Sequence, residues 1–219
     1  MKNSKIEFSY KILLLGNNLV GKSSILIKYS DGFFPDNYIA TVGIDYKLKH
    51  FELANGKKVK VQIWDTAGQD RYKSLTKNYY KNSNGIILVY SVVDKKSFDE
   101  ISNWIEDIRE ETKDDIIIFL VGNKIDLNDK RVISINDAKK LAENYNIKYY
   151  ETSAKTGNGI DILFNDLITH IYETNSKNII KNDNDDVQNK KGIFSTFKFN
   201  QSKKKNDKDY IKNKKQKCC

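Results

Sequence analysis

The sequence predicts an α/β fold: a mostly parallel sheet of six strands, one antiparallel strand at its edge, and helices on both faces. Three observations predict it. Short apolar runs alternate with stretches of helical period from residue 8 to 174. One pair of strand-like runs flanks Asn55-Gly56, the strongest short-range signal for a hairpin. A glycine-rich loop stands between the first apolar run and the first helical one.

Taken in order, 10–15 (YKILLL) is the first strand, buried by its composition. A helical run (SSILIKY) follows the glycine loop. Segments 45–53 and 58–64 form the hairpin, which places its outer strand antiparallel at the sheet edge. Segments 86–92 (IILVYSV), 116–121 (IIIFLV) and 148–151 supply the other strands. Helical periods lie near 97–112, 135–145 and 160–174. Ser97, with Glu100 three residues on, and Asn136 are the expected helix starts.

Charge divides the chain differently. Of the net +9, residues 176–219 account for +8, with 13 Lys against 5 Asp, which leaves +1 for the rest. Periodicity also fades there: 175–191 (NSKNIIKNDNDDVQNKK) is mostly polar. The expectation is a single domain over 8–174 and a disordered basic tail over 175–219. Cys218 and Cys219 are the only cysteines, so no disulfide framework forms and a reducing, intracellular setting is expected. No apolar run nears the roughly 18 residues a membrane span needs. The start, MKNSKIEFSY, has no secretory core, and Lys2 excludes N-myristoylation.

The glycine loop, Gly16-Asn-Asn-Leu-Val-Gly21-Lys22-Ser23, fits G-x-x-x-x-G-K-[ST] in the strand–loop–helix setting that pattern requires. Gly21 lets backbone N–H groups wrap phosphates closely, and the helix N-terminus that follows adds a favourable dipole. Lys22 places a point charge on the β- and γ-phosphates, and the Ser23 hydroxyl is a magnesium ligand. This pattern means a nucleoside triphosphate and leaves adenine and guanine undecided. The tetrapeptide Asn123-Lys124-Ile125-Asp126 addresses the base. It follows a strand at its carboxyl end, where open α/β sheets bind ligands. A carboxylate there accepts from guanine N1–H and N2–H₂ together, a pair adenine does not offer, so Asp126 would select guanine.

With Asp65-Thr66-Ala67-Gly68-Gln69 and Ser153-Ala154-Lys155 the set is complete and in order. Residues 8–174 resemble the Ras superfamily of small GTPases, and its Rab branch most closely. The resemblance rests on GNNLVGKSS (16–24), TVGID (41–45), WDTAGQDRY (64–72), YYKNSNG (79–85), GNKID (122–126) and TSAK (152–155). It implies a P-loop NTPase fold and a GTP-hydrolysing switch for vesicle and membrane trafficking, cycling between a GTP-bound, membrane-attached form and a GDP-bound form. The Rho branch carries a helical insert after the base motif that is absent here, and the nuclear-transport branch ends in acidic residues.

By position, the resemblance implies that Gly16, Asn18, Leu19, Val20, Gly21, Lys22, Ser23 and Ser24 receive the phosphates. Ser23 and Thr41 ligate Mg²⁺ directly and Asp65 through a water. Thr41 and Gly68 contact the γ-phosphate by backbone, and Gln69 orients the attacking water, with Lys22 and Thr41 completing the catalytic set. Phe34 packs on the guanine edge unless it is a core residue. Asn123, Lys124, Asp126, Ser153, Ala154 and Lys155 hold the base, with the Ala154 N–H on the guanine carbonyl. Trp64 and Phe51 match an aromatic surface between the switch segments, though Trp64 also suits a core.

The chain departs from the family pattern at Asn18 and Leu19, where small residues are usual. The bulk of Leu19 predicts slow intrinsic hydrolysis that Leu19→Gly relieves in single-turnover assays. Asp70 replaces a usual Glu, and Ser91 a frequent Asp. No arginine is placed to reach the γ-phosphate, so an activating protein is expected to supply one, worth roughly 10³–10⁵ in rate. The implied partners are that activating protein, an exchange factor, a GDP-dissociation inhibitor, an escort protein with its prenyltransferase, effectors and a membrane surface.

In the tail, 203–217 carries eight Lys and two Asp. Beside an anionic leaflet each Lys contributes about 1 kcal/mol before screening. Cys218 and Cys219 resemble the doubly geranylgeranylated Rab ending, which supplies the second anchor. The expected location is the cytoplasmic face of an intracellular membrane, with a cytosolic pool. Two alternatives stand. One is a nucleotide-holding module without hydrolysis. The other is a nucleic-acid-binding tail, against which no aromatic–basic reader pattern is present, so no nucleic-acid partner is expected. The apolar stretch 192–199 (GIFSTFKF) is either a docking segment or incidental.

Overall fold

β1 (Phe8–Leu15) is the strand around which the sheet is ordered. Its apolar run is buried on both faces, which suits a central parallel strand. The computed structural model describes residues 8–35, 41, 43–66, 79–112 and 116–176. Among these the chain divides at Ile171, with Tyr172 opening a second unit of which 172–176 are described.

Six strands follow the order β2-β3-β1-β4-β5-β6. They are β2 (Ile44–Glu52), β3 (Lys58–Thr66), β4 (Gly85–Ser91), β5 (Ile117–Asn123) and β6 (Lys148–Thr152) with β1. β1 pairs in parallel with β3 and β4, and the parallel ladder runs on through β5 to β6. Only β2 runs antiparallel, from Ile44 opposite Thr66 to Glu52 opposite Lys58. The expected edge hairpin is therefore present. Its turn is held by Gly56 N–H on the Leu53 carbonyl (2.8 Å) and Leu53 N–H on the Lys57 carbonyl (2.9 Å).

Helices cover both faces. On one, Leu13, Leu15, Ile86, Leu88 and Tyr90 pack with α3 (Ile101–Glu111) and α4 (Ile135–Asn144). α3 buries Ile101, Trp104, Ile105 and Ile108, the spacing of one apolar helix stripe. On the other, Tyr29 of α1 (Lys22–Asp31) stacks at 3.8 Å on Phe164 of α5 (residues 160–176).

Four local expectations are corrected. The predicted helix over 97–112 is two, α2 (Lys95–Asp99) and α3, meeting at Glu100. Its start is capped by Asp94, whose carboxylate accepts from Lys96 and Ser97 N–H, rather than by Ser97. The Ser97 hydroxyl instead donates to the Asp94 carbonyl and accepts from Ser91 N–H. α4 is capped by Ser134, not Asn136, through a bond from Asp137 N–H. Finally, Phe51 stands opposite Val59, while Tyr46 is the residue opposite Trp64. Strand parity puts Phe51 on the other face from Tyr46, so the aromatic surface consists of Tyr46, Trp64 and Tyr79.

Candidate functional site

The carboxyl ends of β1, β3 and β5 bring the candidate residues together. At the first, β1 runs straight into the loop 16–21, and α1 begins at Lys22. Two glycines make this turn possible. Gly16 has φ 129°, and a Cβ there would come within 2.1 Å of the Val89 carbonyl oxygen. Gly21 has φ 98°, and a Cβ there would come within 2.4 Å of Asn123 Nδ2. Gly21 is also the N-cap of α1 and supplies no side-chain acceptor. The first-turn N–H groups of α1 are therefore left for an anion.

Lys22 is buried at 6% exposure, and its ammonium donates to the carbonyls of Gly16 (2.9 Å) and Asn17 (2.8 Å). Burial pushes it down to about 8 against the opposing pull of the Asp65 carboxylate. Beside it three oxygens converge. Ser23 Oγ donates to Asp65 Oδ2 at 2.5 Å and lies 2.7 Å from Thr41 Oγ1. Thr41 Oγ1 in turn donates to Asp65 Oδ2 at 3.1 Å. Burial raises the Asp65 carboxyl, opposed by the Ser23 hydrogen bond and the Lys22 charge. Its other oxygen, Oδ1, is buried without a hydrogen-bond partner among the described residues. Two hydroxyls and a carboxylate with an unmet oxygen are hard donors of the kind magnesium takes. The residues present therefore fit the ion.

The base end is organised by Asn123, the last residue of β5 and 1% exposed. Its amide donates to the Val20 carbonyl at 2.9 Å, which ties it to the phosphate loop. Its oxygen accepts from Thr152 Oγ1 (3.1 Å) and Ala154 N–H (3.2 Å), which ties it to the loop after β6. One side chain thus joins all three loops. Lys124 follows in the left-handed region at φ 71°, and burial lowers its ammonium against the pull of Asp94 and Asp126. Asp126 is exposed, with Oδ1 accepting from Ser153 Oγ at 2.7 Å. Ser153 and Ala154 are buried, and Lys155 is exposed.

Phe34 is 39% exposed, which removes the core alternative for it. Leu19 projects at 59% exposure from a left-handed backbone, φ 63°, and Asn18 Oδ1 accepts its N–H. Val20 is buried, while Ser23 and Ser24 are half-buried. Gly68 and Gln69 lie outside the described residues, as do Asp70, Cys218, Cys219 and the 192–199 stretch. Sequence reasoning passed over Asn17 and Thr152. Asn17 is bonded to α3 and Glu100, and Thr152 helps to orient Asn123.

Comparison with known proteins agrees with this geometry. The family model described as Ras family matches residues 11–173. The Ras-related protein Rab-8B of Dictyostelium discoideum is 45% identical, over 74% of this chain and 80% of its own. The Ras-related protein Rab-10 of Caenorhabditis elegans is 43% identical, over 76% and 83%. The GTP-binding protein YPT1 of Saccharomyces cerevisiae is 42% identical, over 80% and 84%.

Proposed function

The chain belongs to the Ras family, in its Rab group of small GTPases, and from that premise we propose how its own residues bind and hydrolyse GTP. It is a GTPase of the Rab type, acting in membrane trafficking by the nucleotide-dependent switching general to the family. The observation that carries the site assignment is the convergence of Ser23, Thr41 and Asp65 beside Lys22. It links residue 41, far from the loop in sequence, to the phosphate-binding helix.

The phosphates would lie on the N–H groups of 18–24, with the Lys22 ammonium on the β- and γ-oxygens. Ser23, Thr41 and Asp65 would hold Mg²⁺, which when bound neutralises charge on the phosphates. Gln69 would orient water in line with the departing GDP oxygen, and Gly68 would donate to the γ-phosphate. Asp126, positioned by Ser153, would accept from guanine N1–H and N2–H₂. Ala154 N–H would reach the guanine carbonyl, Phe34 would pack on the base edge, and Lys124 would cover its face. Release of phosphate would free Thr41 and Gly68, which is the output that effectors read.

Regulators and effectors follow from the family in general. An arginine-supplying activating protein, an exchange factor, a GDP-dissociation inhibitor and an escort protein with prenyltransferase are the partners we propose. Rab proteins act on intracellular membranes, and no helix among the described residues is long and apolar enough to cross one. We assign attachment to geranylgeranyl groups on Cys218 and Cys219, supported by the eight Lys of 203–217.

The test is the nucleotide content of the purified full chain. GDP or GTP is expected to copurify and to leave on magnesium chelation, while ATP does not compete. Asp126→Ala should weaken guanine nucleotide about 10³-fold, since the buried donors of the base lose their acceptor. A chain that carries no guanine nucleotide, or takes up ATP equally well, overturns the assignment.

A further inference from the structure

The second residue of the phosphate loop is fixed from outside the loop. Asn17 Nδ2 donates to Glu100 Oε2 at 2.8 Å. Asn17 Oδ1 accepts from the Trp104 indole N–H, also at 2.8 Å. Its backbone carbonyl accepts from the Lys22 ammonium at 2.8 Å. The amide orientation is dictated by its neighbours. A carboxylate only accepts and an indole N–H only donates, and the Asn17 amide satisfies both, with a donor on one atom and an acceptor on the other. Trp104 is 3% exposed and anchored in the core beneath α3, and Glu100 marks the α2–α3 junction. The loop is thus pinned to a buried indole and to the α2–α3 junction.

We propose that Asn17 is a positioning residue for nucleotide retention, clamping the loop 16–21 to Glu100 and Trp104. The clamp sets the carbonyl that holds the Lys22 ammonium in line with the phosphates. This rests on the guanine-nucleotide reading above. It assigns Asn17, Glu100 and Trp104 a joint role that none of the phosphate, metal or base contacts requires. The amide–carboxylate pairing is specific. With Asp at position 17, two carboxylates would face each other at hydrogen-bond distance. With Asp at 17 and Gln at 100, the donor and acceptor trade places and the indole keeps its acceptor.

The experiment measures release of fluorescently labelled GDP from the full-length chain with magnesium present. N17A and N17D are expected to release it about tenfold faster than wild type, the cost of one or two unmet partners. E100Q alone should match wild type, and N17D/E100Q should return to within about twofold of it. Trp104 gives a second readout. Its indole N–H resonance, in ¹⁵N-tryptophan-labelled protein, should move in N17A and return in N17D/E100Q. Wild-type release rates in N17A and N17D overturn the proposal, as does an N17D/E100Q variant no slower than N17D. A stationary Trp104 resonance in N17A also overturns it. A wild-type chain that holds no GDP would instead overturn the nucleotide assignment on which the clamp rests.

Discussion

Asn123 and Asp65 are almost equally buried, at 1% and 2% exposure, and stand at the carboxyl ends of strands on opposite sides of β1. Asn123 uses its amide on three partners within the protein. Asp65 satisfies one oxygen with two hydroxyls and keeps the other buried and unmet. The Asn123 end is therefore assembled by folding itself, while Asp65 keeps one buried oxygen that no described residue answers. A preformed base pocket costs little reorganisation on binding. Under the proposed assignment, an unmet carboxylate oxygen is what a bound metal would complete there.

Stability of the chain stripped of nucleotide and metal is the measurement that sharpens this contrast. Asn123→Ala should be the largest loss, about 3–4 kcal/mol, since it strands the Val20 carbonyl, the Thr152 hydroxyl and the Ala154 N–H at once. Thermal unfolding would fall by about 10 °C at the 2–4 °C per kcal/mol usual for this size. Gly21→Ala should cost about 2–3 kcal/mol, from a Cβ pressed on Asn123 Nδ2 and a left-handed backbone. Ser153→Ala should cost about 1 kcal/mol, one hydrogen bond to Asp126.

Asp65→Asn should have the smallest effect and the opposite sign. Burial raises the Asp65 carboxyl, so the folded chain keeps that proton to higher pH than the unfolded chain does. The stripped protein then loses stability as pH rises through the raised value, and Asp65→Asn should flatten that slope and lift the melting temperature at neutral pH. The same variant should hold GDP about 100-fold less well in magnesium. Should Asp65→Asn destabilise the stripped chain as Asn123→Ala does, the two ends would be built alike and the contrast would fall.

The sheet was legible because its signals are local. The run YKILLL and the all-buried β4 need no partner to declare themselves, and Asn55-Gly56 marks the single antiparallel pair. The strings 16–23 and 123–126 stood out for the same reason: the chemistry proposed for each is contained in its own residues. The joints between strings were hidden. Asn17 finds its partners 83 and 87 residues away, and Asn123 meets Val20 across 103. Nothing in one sequence marks such pairs. Ser97 misled because Ser-x-x-Glu imitates a capping box, while the Glu100 carboxylate is committed to Asn17. Phe51 misled because which face a strand residue occupies is set by register, and the choice between Phe51 and Tyr46 turns on a single step of parity.

The β2–β3 hairpin has its closed end at 53–57 and its open end at Ile44 opposite Thr66. The chain enters it just after Thr41 and leaves it just before Gly68. Under the proposed assignment, the two residues that would contact the γ-phosphate are joined in sequence to one end of a ladder nine pairs long. Displacement of one strand end drags on the other through hydrogen bonds between neighbouring backbones. Two contacts wired in that manner would carry one bit of information rather than two, and a reader touching either side of the rung would receive the same message.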